Sequence, residues 1–283
     1  MIHPVYSYFP GCSLATSARE NNESMVAFLK AFGVRLEELT DWNCCGSSSA
    51  HSIDSELAFD LACRNLSLAP EAKPLLVACP SCYLRLKGTH HRIDRNIVAK
   101  ERYENKWHRA HRPELQIVHF FELLQAVSQT APFQNKLKKL AGLRIASYYG
   151  CMLAYPPALR QQQNFSGIME NVIDALGGTA IRWPYSARCC GTFLTAARPD
   201  IVSPIINQIT QGAIQAGADC IVTACSMCHM NLEIRSAKPN HLPIFHFSEL
   251  LALALGLEIS ETWFSRHLID PRPLLTEKKL LYV

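Results

Sequence analysis

The sequence has few charged residues and no long apolar run. Charged residues make up 18% of the chain, and the formal net charge is only +4, whereas a nucleic-acid-binding domain is usually much more basic. No apolar run approaches the roughly 20 residues that a membrane-spanning helix needs. The first residues lack a basic segment followed by an apolar one, which is the pattern of a signal peptide. We therefore expect a cytoplasmic protein that neither binds nucleic acid nor inserts directly into a membrane.

Nucleotide-binding motifs are also missing. The sequence contains no Gly-x-Gly-x-x-Gly and no phosphate-binding Gly-Lys-Ser/Thr. It has no ferredoxin-like Cys-x-x-Cys-x-x-Cys run either. If the protein takes part in electron transfer, its electrons must therefore come from another chain.

Hydrophobic residues and cysteines, by contrast, are plentiful. The 283 residues are 48% hydrophobic, which is enough for one large domain or two ordinary ones with a sizeable core. The chain has 12 cysteines. In a reducing cytoplasm, this density indicates metal binding rather than disulfide bonds.

Ten of the 12 cysteines fall into two matching sets of five. Each set has a single cysteine, then an adjacent pair followed by glycine, and then a Cys-x-x-Cys. The parts are separated by 31 and 33 residues in the first set and by 37 and 34 in the second. The first set is Cys12, Cys44, Cys45, Cys79 and Cys82, and the second set is Cys151, Cys189, Cys190, Cys225 and Cys228.

A second repeat, independent of cysteine, supports a duplication. Residues 117–124 read IVHFFELL and residues 244–251 read IFHFSELL. Self-similarity between the two halves of a chain indicates repeated structural units. We predict a first domain at residues 1–140, and a second domain with a C-terminal tail at residues 141–283.

The pattern within each half alternates strands with helices, which predicts parallel sheets with crossover helices. The predicted class is α/β, with two pseudo-symmetric Rossmann-like lobes, each a small, mainly parallel sheet flanked by helices. Predicted strands lie at 5–9, 34–39, 74–79, 115–119, 143–149, 180–183, 220–225 and 244–247. Predicted helices lie at 17–32, 52–69, 120–127, 132–141, 162–176, 201–216 and 249–255, with a polar helical stretch that ends near residue 112.

Four cysteines stand at or just beyond the ends of predicted strands: Cys12, Cys79, Cys151 and Cys225. In an open parallel sheet, ligands bind beyond the carboxyl ends of the strands. The helices that follow offer free N–H groups and the positive ends of their dipoles. An anionic iron–sulfur cluster suits this position, and we expect one site in each lobe.

The number of thiols narrows the kind of site. A structural zinc site and an ordinary cubane cluster each take four ligands. Five thiols, two of them adjacent, fit neither cleanly. They favour either an unusual iron–sulfur site or a four-ligand cluster with one spare thiol, and zinc in one lobe is an alternative.

The two sets resemble the cysteine-rich CCG domain, which has a single Cys, a Cys-Cys-Gly and a Cys-x-x-Cys at such separations. Two tandem copies in a chain of this length resemble the B subunit of heterodisulfide reductase. The flanking stretches 58–66, 149–151 and 219–225 are similar as well, and the resemblance covers residues 5–257. Gly46 stands where the methanogen proteins are expected to have proline, which favours a bacterial-type relative.

The resemblance implies a catalytic subunit with two noncubane [4Fe-4S] clusters facing a shared cavity. Each cluster would be held by one set of five cysteines. The reaction would be the reductive cleavage of a disulfide to two thiols, or its reverse; in methanogens the substrate is the heterodisulfide of coenzymes M and B. The implied partners are the ferredoxin-like C subunit and the flavin-bearing A subunit of such a complex. The same domain occurs in iron–sulfur subunits of glycolate and lactate oxidation systems and of some succinate dehydrogenase or fumarate reductase-type complexes, so an electron-transfer subunit is the alternative.

Residues outside the two sets have simpler interpretations. We expect Cys63 and Cys220 to be small buried hydrophobic residues. His119 and His246 stand at equivalent strand-to-helix junctions, where capping of the backbone is favoured over a hydrogen bond to a cluster or a proton transfer. His229, next to Cys228, is a candidate for a hydrogen bond near the cluster rather than for a ligand.

Two further segments carry no predicted site. The basic stretch 85–112 is expected to be a solvated helix face, with docking of an acidic partner or attraction of an anionic substrate as the alternatives. The segment after Ser265 is expected to extend over a partner or to be a loose end.

Overall fold

Two parallel β-sheets form the centre of the protein, one in each half of the chain. The computed structural model describes residues 2–47, 49–135, 140–154, 165–236, 241–257 and 261–281. Each sheet has four strands, in the order β2-β1-β3-β4 in the first lobe and β6-β5-β7-β8 in the second. All pairings are parallel. The predicted α/β class with two similar lobes is confirmed.

The first lobe contains strands β1–β4 and helices α1–α7. Its strands are β1 Val5–Phe9, β2 Arg35–Glu38, β3 Leu75–Val77 and β4 Ile117–His119. Its helices are α1 Gly11–Ala15, α2 Arg19–Ala31, α3 Ala50–Ile53, α4 Ser55–Leu68, α5 Pro80–Arg95, α6 Ile97–Trp107 and α7 Phe120–Ser128. A short helix, α8 Ala131–Gln134, follows it.

The second lobe contains strands β5–β8 and helices α9–α13. Its strands are β5 Arg144–Tyr148, β6 Thr179–Ile181, β7 Cys220–Thr223 and β8 Ile244–His246. Its helices are α9 Gly150–Ala154, α10 Ile168–Ala175, α11 Pro199–Gln215, α12 Ser226–Arg235 and α13 Phe247–Leu255, with a 3-10 turn at Thr192–Leu194. Helices α14 Glu261–Ser265 and α15 Arg272–Glu277 form the C-terminal segment.

The central strands are buried on both faces, as is typical of parallel sheets covered by helices. Leu75, Leu76 and Val77 of β3 are fully buried, and so are Ile221 and Val222 of β7. Because β1 and β3 are parallel neighbours, their carboxyl ends meet at one edge of the first sheet. The carboxyl ends of β5 and β7 meet at the equivalent edge of the second sheet for the same reason. These edges position the two cysteine sets.

Two predicted helices are interrupted by short polar residues. Asp54 has an extended backbone and accepts the N–H groups of Glu56 and Leu57, so residues 52–69 form two helices rather than one. Asn96 separates α5 from α6 and accepts the N–H of Ala99. Such side chains compete with the helical backbone for hydrogen bonds and favour caps.

Two other predicted helices are shorter than expected. Helix 132–141 is found only as α8, and residues 136–139 lie outside the described residues. Helix 162–176 is found as α10, and its first three predicted residues lie outside the described residues.

The two lobes pack against each other through helices. Helix α13 of the second lobe packs on α2 of the first, and α7 of the first packs on α10 of the second. Ser24 Oγ and Ser248 Oγ are 2.7 Å apart, and the rings of Phe121 and Phe247 are 5.5 Å apart. One hydrophobic core therefore continues from one lobe into the other. The boundary at residue 140 stays a prediction.

The C-terminal segment is folded onto the body of the protein, contrary to the expected loose or partner-bound tail. Phe264 and Leu275 are buried in the main core. Trp263 Nε1 donates a hydrogen bond to Glu23 Oε2 of α2 at 2.7 Å. Apolar side chains in this short segment gain more from burial than they would from solvent exposure.

Candidate metal centres

The first cysteine set converges at the edge of the first sheet. Cys12 lies in α1 just after β1, and Cys79 caps the N-terminus of α5 just after β3. Cys44 Sγ is 3.7 Å from Cys12 Sγ, and Cys45 Sγ is 3.1 Å from Cys82 Sγ. All five thiols line one small cavity of about 40 Å³.

The second set repeats this arrangement. Cys190 Sγ is 3.4 Å from Cys228 Sγ, and the thiols of Cys151 and Cys189 lie close enough to shift each other's pKa. Cys225 caps the N-terminus of α12. All five thiols again line one cavity, of about 30 Å³. The structure thus brings together every cysteine predicted for each site, and all 12 cysteines are free thiols.

A glycine before the first cysteine of each set makes room for the last one. Gly11 and Gly150 have φ angles of +74° and +67°, in the left-handed region that favours glycine. A Cβ on Gly11 would lie 3.0 Å from Cys82 Sγ, and one on Gly150 would lie 3.3 Å from Cys228 Sγ. The chain therefore passes as close to the thiols as a backbone without a side chain allows.

Each set has a buried end and an open end. The described structure buries Cys45, Cys79 and Cys82 in the first set, whereas Cys12 and Cys44 are exposed. In the second set Cys190, Cys225 and Cys228 are buried, Cys151 is intermediate and Cys189 is exposed. Each site is therefore anchored in the core and open to a small molecule or a partner at one side.

The thiols within a set differ in pKa. A hydrogen bond with Cys12 lowers the pKa of Cys44, while the same contact and burial raise the pKa of Cys12. A hydrogen bond with Cys151 lowers the pKa of Cys189 to about 6. Five neighbouring thiols cannot all be thiolates without a compensating cation. A polynuclear iron–sulfur centre supplies that compensation and takes cysteine thiolates as its ligands, so the residues present fit such a group.

The two sets adjoin each other across the lobe interface. The thiols of Cys79 and Cys225 lie close enough to interact, and this interaction lowers the pKa of Cys79. Met227 of the second lobe lines the cavity of the first set, and Ser81 of the first lobe lines the cavity of the second. The two sites therefore form one double centre.

A large groove with basic side chains lies beside the double centre. Its volume is about 590 Å³. It reaches Ser81, between Cys79 and Cys82, and Met152, which follows Cys151. Its basic and imidazole side chains come from α3 and α5 and are His51, Arg85, Lys87, His90, His91 and Arg92. We call it the basic groove.

The basic stretch 85–112 has two parts, one that forms ion pairs with α4 and one that lines the basic groove. Arg102 and Lys106 pair with Asp60 on α4 at 2.7 and 2.6 Å, as expected for a structural helix face. Arg85 instead lines the groove. Only this second part lies where a substrate could meet it.

His119 and His246 cap helices, as the favoured interpretation predicts. His119 Nδ1 accepts the N–H of Phe121 at 3.1 Å, and Glu122 accepts the N–H of His119 at 2.8 Å. His246 and Glu249 form the equivalent capping box. Burial lowers the pKa of His119 to about 3 and that of His246 to about 4, so both are neutral at pH 7.

Cys63 and Cys220 lie in the hydrophobic core and line neither of the two cysteine cavities. Burial raises the pKa of Cys63 to about 12 and also raises that of Cys220. They match the expected small buried residues.

Sequence reasoning missed a buried group of polar residues beside the second set. It comprises Glu233, Glu249 and His267, which contact His229 or one another. The spacing of His229 and Glu233, one helical turn apart on α12, was the available signal. No sequence signal links His267 to these residues, because it lies in the C-terminal segment, far from them along the chain.

In the part of the chain that the structure describes, no helix combines the length and the apolar character needed to span a bilayer.

Comparison with known proteins places these observations in a family. The sequence model described as CCG, Cysteine-rich domain, matches residues 6–87 and 145–233. The chain is 28% identical to the 8-methylmenaquinol:fumarate reductase membrane anchor subunit of Wolinella succinogenes, over 95% of this chain and 98% of that one. It is 23% identical to the B subunit of the ferredoxin/F(420)H(2)-dependent CoB-CoM heterodisulfide reductase of Methanosarcina acetivorans, over 93% of both chains. The predicted resemblance to that subunit is confirmed.

A solved structure shows the same fold. A hypothetical protein from Helicobacter pylori superposes with a TM-score of 0.74 at 12% sequence identity, over 95% of this chain. This chain spans about half, 53%, of the length of that one.

Proposed function

The chain belongs to the cysteine-rich CCG domain family, and from that premise we propose that it is the iron–sulfur subunit of a multi-subunit, heterodisulfide reductase-like complex. Its reaction is the reductive cleavage of a small disulfide to two thiols, or the reverse. The observation that carries the proposal is the contact between the two cysteine sets, in which Cys79 meets Cys225 beside a basic groove. A disulfide has two sulfur atoms, and the protein offers two adjoining sites.

Each lobe would hold one [4Fe-4S] cluster of the noncubane kind through its own five cysteines. Cys12, Cys44, Cys45, Cys79 and Cys82 would bind the first cluster, and Cys151, Cys189, Cys190, Cys225 and Cys228 the second. The convergence of each set on one cavity supports this assignment. The adjacent pair in each set reaches opposite sides, since Cys44 contacts Cys12 while Cys45 contacts Cys82.

The chain's own side chains would bind and orient the substrate. Arg85, Lys87 and His91 of the basic groove would attract an anionic group, and Ser81 and Met152 would line its path to the cysteines. When bound, a cluster in each lobe would supply one electron, and a disulfide needs two to become two thiolates. Burial of Cys79 and Cys225 keeps water from the junction of the two sets.

The electrons would arrive from partners in the cytoplasm, the ferredoxin-like C subunit and the flavin-bearing A subunit that feeds it. Exposed apolar side chains beside the second set offer a docking surface for the first of these. They are Phe193 and Leu194 of the 3-10 turn, Ile201 of α11 and Ile234 of α12. The turn packs against both helices.

This docking surface has a direct test. Leu194→Asp should slow reduction by the partner about tenfold or more, without changing reduction by a small artificial donor. The control is Val98→Asp, at a more exposed apolar residue of the first lobe (70% exposed against 46%). Equal slowing in both variants, or slowing with the artificial donor, would contradict this docking surface.

A second function is electron transfer without disulfide cleavage, in a quinol:fumarate reductase-type complex. The 28% identity to the Wolinella succinogenes protein, along nearly the whole of both chains, favours it. In that case the open ends of the cysteine sets would face partner proteins, and the basic groove would dock an acidic protein rather than a small anion.

One set of measurements separates these functions. The chain is purified anaerobically, its iron and acid-labile sulfide are measured, and EPR spectra are recorded under mild oxidation with and without added thiol. About eight irons per chain, a thiol-dependent signal and disulfide turnover with an artificial reductant are expected. If the protein contains two clusters whose EPR signal does not change with added thiol, and it shows no disulfide turnover, electron transfer is the better assignment. Iron near four with zinc would make one lobe structural.

A further inference from the structure

Three side chains from two distant parts of the chain point at one another beside α12. His229 Nε2 is 3.6 Å from Glu233 Oε1, and the same oxygen is 3.0 Å from His267 Nδ1. The three ligand atoms lie within 4.8 Å of one another. His229 and Glu233 are one turn apart on α12, while His267 follows α14. All three are at most 9% exposed.

The two nitrogen–oxygen distances suit a metal ion. Two ligand atoms on a tetrahedral zinc ion, each about 2.0 to 2.1 Å from it, are about 3.3 Å apart. The separations of 3.0 and 3.6 Å lie on either side of that value. Two imidazole nitrogens and one carboxylate oxygen are typical ligands of zinc and of other divalent transition metals.

Neighbouring groups hold the three side chains in this orientation. His267 Nε2 lies 2.9 Å from Glu249 Oε1, and Glu249 Oε2 accepts the backbone N–H of His246 at 2.8 Å. Glu233 Oε2 accepts the N–H of Leu268 at 3.0 Å, which leaves Oε1 directed at the histidines. Histidine ligands of metals usually donate their other N–H to a carboxylate in this way.

His229 supplies an independent observation. Its Nε2 is buried and has no hydrogen-bond partner, although the residue is only 3% exposed. Its Nδ1 lies 3.1 Å from the amide of Asn21, whose Oδ1 also has no partner. With the amide turned so that Oδ1 accepts the Nδ1 proton, the lone pair of Nε2 faces Glu233. If Nε2 of His229 then binds a cation, both this nitrogen and Oδ1 of Asn21 have a partner.

The buried carboxylates of the site also favour a bound cation. Glu233 and Glu249 are buried carboxylates, and Glu20 on α2 lies close enough to interact electrostatically with Glu249 and both histidines. A divalent ion with neutral histidines balances both carboxylates, and buried charges are stable only when they are compensated.

We propose that His229, Glu233 and His267 bind one divalent transition metal ion, with zinc as the best fit, and that Glu249 and Asn21 orient the two histidines. The site is separate from the cysteine sets and does not depend on their function. It joins α12 of the second lobe to the C-terminal segment, so its role is to fasten that segment over α2 and α13. His229 is thereby a ligand of this second kind of metal, rather than only a neighbour of Cys228.

Elemental analysis and X-ray absorption of the anaerobically purified protein test the proposal. About one zinc per chain with only nitrogen and oxygen neighbours is expected. Glu233→Gln and His267→Gln should lose the zinc while keeping their iron and sulfide. Glu249→Gln should weaken zinc binding about 10- to 100-fold. His111→Gln is the control, because the side chain of His111 is likewise buried (4% exposed) and contacts a carboxylate, that of Asp94, at 3.3 Å.

Several results would overturn the site. They are a fully folded, iron-loaded protein with neither zinc nor another divalent metal ion beyond the cluster iron, a zinc ion with sulfur neighbours, or full retention of the metal in both ligand variants. Sulfur neighbours would instead place zinc in a cysteine set and count against the cluster in that lobe, whereas absence of zinc with full iron would leave the proposed function intact. If the variants do not fold, cobalt-loaded wild-type protein provides the test. The difference spectrum against the same protein without cobalt removes the cluster absorption. It should lack the intense near-ultraviolet band of cobalt–thiolate bonds, and a strong band of this kind would exclude the site.

Discussion

The two lobes hold their cysteines alike but surround them differently. Both have a glycine that admits the last thiol, a cysteine that caps a helix and a histidine that caps the next one. In the first lobe, the Cys-x-x-Cys opens a helix of 16 residues that is followed by α6. In the second, it opens a helix of 10 residues, beside which the C-terminal segment lies.

This difference shows what a duplication keeps and what it frees. The parts that place thiols are held to one geometry, because the same group must fit both lobes. The helices behind them are free to diverge, and the longer helix α5 in the first lobe lines the basic groove. The shorter helix in the second lobe contributes His229 and Glu233 to the buried polar group.

The largest expected effect comes from removing a ligand in either lobe. Cys82→Ser and Cys228→Ser should each lower the iron content by about four atoms per chain and abolish disulfide turnover, since both sites are needed for two electrons. Iron and sulfide analysis with a turnover assay measures this. Cys63→Ser, at a buried cysteine outside the sets, should retain all its iron. Normal turnover after loss of one complete site would break the proposed equivalence of the lobes.

A smaller effect is expected from the paired glycines. Gly11→Ala should destabilise the protein more than Gly150→Ala, because its Cβ would lie 3.0 rather than 3.3 Å from the facing thiol. Gly33→Ala has a similar φ of +76° but no atom within 4 Å of the added Cβ, so it isolates the backbone cost of about 1–2 kcal/mol. Thermal unfolding and iron content measure the three variants. If Gly33→Ala loses as much iron as Gly11→Ala, close approach to Cys82 is not the reason for the glycine.

The basic groove distinguishes the lobes by charge. Arg85→Gln should raise the KM for an anionic disulfide about three- to tenfold at low salt, with little change in kcat, and high salt should shrink the difference. Arg182→Gln, in the pocket beside Tyr149 and Glu170 of the second lobe, is the control. A KM that rises equally in both variants would mean that the groove does not select the substrate.

The smallest effect concerns one aspartate in each lobe. Burial opposes ionisation of Asp60, but hydrogen bonds from Arg102 outweigh it and lower the pKa of Asp60. Burial likewise opposes ionisation of Asp219, and hydrogen bonds from Arg144 and then Lys278 lower its pKa. Each carboxylate therefore stabilises the fold fully above about pH 4, the usual pKa of aspartate, and loses this contribution as the pH falls through the lower folded pKa.

Replacement by asparagine tests both aspartates. Each variant should lose up to about 1 kcal/mol of unfolding free energy at pH 7, and less near pH 2. Urea unfolding at several pH values measures this. Asp219→Asn alone should also speed proteolysis of the C-terminal segment, because Lys278 lies 3.2 Å from Asp219. Equal proteolysis of Asp60→Asn would contradict that difference.

The alternation of strands and helices predicts the fold. The cysteines at the strand ends predict the convergence of the sets, because thiols at the ends of neighbouring parallel strands meet at one edge of the sheet. The buried polar group was not predictable in the same way. Glu233 and His267 are 34 residues apart in sequence, and no local periodicity links them. The break at Asp54 was also missed, since a helical apolar pattern continues across a residue that caps the next helix.

The contact between α2 and α13 has a consequence for biosynthesis. Ser24 and Ser248 are 224 residues apart in sequence, and a ribosome adds roughly 5–20 residues per second. The apolar face of α2 therefore waits about 11 to 45 seconds for its partner after it has been made. During that interval the nascent first lobe exposes this apolar surface to the cell. The interval is long enough for chaperones to bind it.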